Sequence, residues 1–214
     1  RGPRFRLDAE MLRDQALALG GLMTRTLGGP SVRPPQPDGL WHAVGYSGSN
    51  TVQFYPDEGD KIYRRSVYTF WKRTSPPPQM TAFDAPSRES CTVQRERTNT
   101  PMQALLLLNE PQYVEAARGL AQRAWHEGGK TAGTRAAFLF RQAAIRGANE
   151  GELKELLAVY RDHLAEFQKN PAAAKALLKG GATSADASIP TAELAAWTMV
   201  ANLILNLDEV ITKG

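Results

Sequence analysis

Apolar residues recur at helical spacing near the start of the chain and through almost all of its second half. Leu12, Ala16, Leu19 and Met23 fall at i, i+4, i+7 and i+11, one face of a first helix. Asp8 stands as its N-cap, Leu7 and Leu12 as a hydrophobic staple, Gly20-Gly21 weakens its centre and Gly28-Gly29-Pro30 ends it. After Asn109 the pattern is helical throughout. Tyr113, Ala117, Leu120 and Ala124 share a face behind Glu110-Pro111, and 131–146 carries Phe138, Leu139 and Phe140. Leu153, Leu156, Leu157, Tyr160, Leu164 and Phe167 give the cleanest 3.6-residue period. Pro171 opens a short helix that Gly180-Gly181 closes, and Pro190 to Leu207 is apolar nearly all round, which predicts a helix buried on most sides.

Between these stretches, residues 30–100 are punctuated by proline and glycine, and Trp41, Tyr46 and Tyr55 argue that this excursion is ordered. Val52–Tyr55 reads as a short strand. Residues 63–73 match a helix with Tyr63, Val67, Phe70 and Trp71 on one face, with a strand as the lesser reading, and Pro76-Pro77-Pro78 stops it. Thr100, Pro101 and Gln103 form a capping box, and the apolar run Ala104–Leu108 behind it calls for burial. The expected architecture is mostly α: an irregular helical bundle with a long ordered loop-rich segment over about residues 30–100 and at most a minor β element. It is expected to form a single domain over 1–214, with a loop-rich, basic half (1–100) and a helical half (101–214).

Charge sharpens this division. The 214 residues carry a net +4, yet residues 61–97 hold eight basic and three acidic groups, a net of +5, while 98–214 hold twelve of each. Any pull on an anionic partner therefore belongs to the middle third. Cys91 stands alone, which excludes an intrachain disulfide and reads as a small buried hydrophobe. No apolar run approaches the 18 or so residues of a membrane span. His42, His126 and His163 lie far apart without metal-ligand spacing, and Asp57, Glu58 and Asp60 read as a solvated turn, so neither metal nor cofactor is expected in this chain.

The stretch from Asp84 to Asn109 sets the densest alternation of charge directly before the most apolar run. Charges cannot be buried singly, so Arg88, Glu89, Arg95, Glu96 and Arg97 should pair with one another or with a ligand, and Arg64, Arg65, Arg88, Arg95 and Arg97 form the candidate cluster. One reading is an internal lock against Asp84, Glu89 and Glu96. The other is a ligand site, in which guanidinium forks take carboxylate, sulfate or phosphate while Tyr63, Tyr68 and Trp71 stack on a sugar or base. The candidate site residues are Arg64, Arg65, Trp71, Arg88, Glu89, Arg95, Glu96 and Arg97. A third reading takes two of the acids as the acid/base pair of a glycosidase-like hydrolase.

The segments RFRLDAEMLRDQAL, GGPSVRPPQPDGLW, YRRSVYTFWKR, FDAPSRESCTVQRERTNTPMQALLLLNEPQYVEAA and AELAAWTMVANLILNLDE together resemble the C-terminal domain of unknown function of large planctomycete proteins. That resemblance implies an exported, multidomain setting, often with another uncharacterised domain and a cytochrome-c-type module, and makes this chain the end of a longer one. It supplies no catalytic residues. The expectation is a helical module, not catalytic by itself, that supports or completes a site with an upstream redox or polysaccharide-processing domain. The alternative is a binding module for anionic polysaccharide, with nucleic acid a lesser partner.

Overall fold

The structure is a computed structural model that describes residues 4–46 and 48–213. Among these are ten α-helices: α1 (Ala9–Leu19), α2 (Leu40–Val44), α3 (Pro78–Thr81), α4 (Pro101–Asn109), α5 (Pro111–Glu127), α6 (Ala132–Ala144), α7 (Glu150–Lys169), α8 (Pro171–Lys179), α9 (Thr191–Leu205) and α10 (Asp208–Ile211). Two short strands, β1 (Phe5–Arg6) and β2 (Thr212–Lys213), pair antiparallel and bring the two ends of the described chain together. The fold is mostly α with a minor β element, as the periodicity predicts.

Helix α9 is the axis of the larger core. It packs on α5, α7, α8, α6 and α4, and Leu194, Trp197, Val200 and Ile204 are buried, with the Trp197 ring stacked on Tyr160 at 4.2 Å. A second core lies under the first half, where Ala9, Leu12 and Ala16 of α1 meet Met80, Phe83, Leu107, Tyr113 and Ala116. Helix α5 serves both. Tyr113 and Ala116 face the second core, and Ala117, Leu120 and Ala124 the first.

Several local expectations fail for identifiable reasons. Helix α1 stops at Leu19, and Met23 lies beyond it, because Gly20 passes directly over α5. A Cβ on Gly119 would sit 2.3 Å from the Gly20 carbonyl oxygen, and one on Gly20 would sit 2.6 Å from that of Ala116. No strand forms at 52–55, where Val52 and Gln53 bend the chain and Phe54 packs edge-on against the buried Trp41 ring at 5.0 Å. No α-helix forms over 63–73. Two 3₁₀ turns, Gly59–Tyr63 and Ser66–Tyr68, stand there beside isolated bridges from Thr24 to Arg64 and from Val32 to Thr69. The backbone there is satisfied from α1 instead: Arg13 donates to the carbonyls of Ile62 (2.6 Å) and Arg64 (3.0 Å), and the Ser66 N–H donates to Asp14 (2.7 Å).

The capping box of α4 forms as expected from Thr100 and Gln103. Burial of its apolar run does not follow. Only Gln103 and Leu107 are buried, and Met102, Leu105 and Leu108 are exposed, since α4 rests on α5 and α9 by one face alone.

Candidate functional site: the arginine-rich face and the outward segment 87–100

The five arginines do not converge. Arg64 is turned inward, donating to the carbonyls of Pro30 (2.8 Å), Thr26 (3.3 Å) and Gly28 while its guanidinium lies 3.9 Å from the Tyr68 ring centroid. It staples the loop after α1. Arg65 is half exposed with its Nε 3.5 Å from Asp14. Arg95 forks onto Glu10, with Nη1 to Oε2 at 2.7 Å and Nη2 to Oε1 at 3.1 Å, and Asp8 lies 3.8 Å away. Arg97 reaches Asp8 at 3.7 Å and covers the Phe5 ring at 4.4 Å. Arg88 instead lies over the Trp71 ring at 4.4 Å, and the Trp71 Nε1–H donates to the Ser87 carbonyl at 2.9 Å.

The acids of the lock are therefore Asp8 at the N-cap of α1, Glu10 in its first turn and Asp14 at its middle. Glu89 and Glu96 are exposed and make no ion pair among the described residues. In the non-helical backbone of 95–97, successive side chains point to opposite sides, so Arg95 and Arg97 both reach α1 while Glu96 faces away from it. Asp8 makes no side-chain cap on α1, its carboxylate going to the arginines. Burial alone would raise the Glu10 carboxyl, but the Arg95 guanidinium overrides it and holds Glu10 below the usual carboxylate range.

Asp84 joins a knot that the sequence reading missed. Arg6, 7% exposed, donates to Asp84 Oδ2 at 2.5 Å and to Thr98 O and Gln103 Oε1. Asp84 in turn accepts the Thr98 N–H at 2.8 Å and its hydroxyl at 2.9 Å. Burial pushes the Asp84 carboxyl upward, but the Thr98 N–H and Arg6 together bring it below its ordinary value. Two more arginines were overlooked. Arg13 and Arg118 are each 2% exposed, and Arg118 binds the carbonyls of Leu178 (2.5 Å), Gly180 (2.6 Å) and Thr183 (2.6 Å) and the Glu115 carboxylate at 3.4 Å. A signal existed for Arg13: it stands four residues after Ala9 and three before Ala16, on the buried stripe of α1.

Residues 87–100 are thus pinned at both ends, by Trp71 and by α1, and point outward between. Apart from the half-buried Arg95, every residue in this stretch is exposed, Val93 fully so. Cys91 is among them, which corrects its expected burial. Arg88 holds φ at +64°, a left-handed backbone that a side chain of its size rarely adopts, at the point where its guanidinium meets Trp71. Beneath it runs an open groove of about 460 Å³ bordered by Tyr68, Trp71, Arg73 and Arg88. The histidines sit at the surface or against neighbours: His42 exposed, His126 2.8 Å from Asp186, His163 3.5 Å from Glu166.

A family model described as PSD1, protein of unknown function (DUF1553), matches residues 1–160. This chain belongs to the PSD1 family. No curated protein and no solved structure matches it. The PSD1 match takes in α1, the loop-rich segment, the knot at Arg6 and the outward stretch, and it runs into α7. The last helices, among them the core helix α9, lie beyond the matched residues.

Proposed function

We propose that this PSD1 domain is a non-catalytic helical module that presents residues 87–108 to another domain of its own protein and completes a site there. On the family resemblance, that domain is the preceding redox or polysaccharide-processing unit of an exported chain. One observation carries the reading. A segment held at both ends by ion pairs and hydrogen bonds keeps Val93 fully exposed and runs directly into α4, whose Met102, Leu105 and Leu108 are exposed beside it. Pinned apolar surface of this kind is what a partner covers. Glu89 and Glu96 stand open on the same stretch, whereas a general acid needs a sheltered carboxyl, so the module is read as a support and not as a hydrolase.

Hydrogen–deuterium exchange across 87–108, measured in the full-length protein and in these 214 residues alone, tests it. Slower exchange in the full-length protein is expected, with no turnover of polysaccharide or small esters by the isolated chain. Equal exchange in both overturns the reading.

A second reading has its own observation. Arg73 and Arg88 flank Trp71 in the open groove and have no carboxylate within ion-pair distance among the described residues. Two free guanidiniums beside an indole suit an anionic polysaccharide. Binding to heparin that weakens with salt and is lost in Trp71→Ala and Arg88→Ala is the required result. Equal or tighter binding of single-stranded DNA in a gel shift makes the partner a nucleic acid instead.

A further inference from the structure

A separate cavity of about 520 Å³ lies where the two halves meet, beneath residues 35–37 and against the first two turns of α5. Its size is that of a small-molecule site. Most of its wall is apolar, from Pro35, Pro37, Ile62, Pro78, Leu106 and Pro111. Prolines make this wall stiff, so the cavity is shaped by backbone constraint as well as by side chains.

A few polar groups interrupt that wall, and the fold uses only part of their hydrogen-bonding capacity. Glu110 caps α5 with one oxygen, Oε2, which accepts from the N–H groups of Gln112 (2.8 Å) and Tyr113 (3.0 Å). Its Oε1 has no partner among the described residues. Glu115, 3% exposed, likewise gathers its bonds on one oxygen, from the Tyr63 hydroxyl (2.7 Å) and from the Thr183 N–H (2.7 Å) and hydroxyl (2.6 Å), leaving Oε2 free. Gln79, 5% exposed, borders the cavity with no side-chain hydrogen bond among the described residues, and the Gln36 Nε2 is buried without a partner. A buried amide left unpaired costs about 1–3 kcal/mol. Gln36 Nε2 is such a group, and the unused oxygens of Glu110, Glu115 and Gln79 around the same cavity mark a place for a ligand.

The linker after α8 is shaped around the same carboxylate. Gly181 has φ +86°, and a Cβ there would stand 2.3 Å from the Glu115 Cδ, so only glycine lets the chain cross over it. Arg118 lies behind Glu115, bonded to the Oε1 side, and does not border the cavity.

We propose that this cavity is a binding site for a small organic cation, a protonated amine on a compact apolar body. An ammonium group carries three donors and no acceptor, which matches the free oxygens of Glu110, Glu115 and Gln79, while the apolar body takes the proline, leucine and isoleucine wall. An anion of the same size meets two carboxylates and is refused. The cavity shares Leu106 with the outward segment 87–108 but is argued from other groups, Gln79, Glu110 and Glu115, so each assignment can fail without the other.

The test is calorimetric titration of the 214-residue chain with cyclohexylmethylammonium, and with cyclohexylmethanol and cyclohexanecarboxylate as neutral and anionic isosteres. The ammonium is expected to bind at least tenfold more tightly than either isostere. Gln79→Leu and Glu110→Gln should each weaken it about tenfold, Leu106→Trp should abolish it by filling the cavity, and the distant surface change Lys154→Ala should leave it unchanged. Should Leu106→Trp fail to fold, the Gln79 and Glu110 variants decide. No binding of the ammonium at millimolar concentration, equal binding of the alcohol or the carboxylate, or undiminished binding in Gln79→Leu and Glu110→Gln overturns the assignment.

Discussion

Arg118 shows why a buried guanidinium is a structural commitment. It and Glu115 have side chains 3% and 2% exposed, and three backbone carbonyls depend on the arginine as well. Arg118→Ala strands a buried carboxylate and should cost about 3–5 kcal/mol, read from urea unfolding. Glu10 and Asp84 carry a pH prediction. Each has a lower pKa in the folded chain than when unfolded, so each adds stability that is present above the ordinary carboxylate range and lost as pH falls through the folded value. Glu110, raised by burial, acts with the opposite sign, contributing at low pH and losing its contribution as pH rises. Thermal unfolding of wild type and Glu10→Gln between pH 2 and pH 6 therefore separates them, and the variant should lose less stability on acidification. Residue roles were the least legible part of the sequence. Arg95 and Arg97 were visible as needing partners, but their acids lie about 85 positions away in α1, a pairing that only the tertiary fold reveals.

Elements were legible where a local rule decided them. The capping box of α4, the Glu110-Pro111 start of α5 and the largely apolar character of α9 are written in neighbouring residues, and all three form. The stretch 63–73 was misread because its periodicity is served from outside: Arg13 and Asp14 take up the backbone groups that a helix would have used on itself. Gly20 and Gly119 are a further case, since spacing alone cannot say that two distant glycines touch. Their backbones meet so closely that a single methyl on Gly119 must push α1 from α5. Gly119→Ala should therefore destabilise by about 1–3 kcal/mol or more in chemical denaturation, although alanine is the better helix former and would stabilise an open site by about 1 kcal/mol. A stabilising result would mean that the crossing is looser than described.

Across the whole molecule, α5 belongs to both cores, with Tyr113 and Ala116 on one side and Ala117 and Leu120 on the other. The boundary that charge and proline content draw near residue 100 is one of composition and not of packing. Unfolding is expected to be a single transition, with fluorescence, from Trp41 and Trp71 in the first half and Trp125 and Trp197 in the second, and far-ultraviolet circular dichroism giving coincident curves. Two separated midpoints would show that the halves come apart independently. The one thiol of the chain, Cys91, stands in the open middle of the pinned segment. A maleimide dye would therefore mark that stretch and nothing else among these residues, turning it into a handle from which the approach of a covering surface can be followed as a change in labelling rate or emission colour.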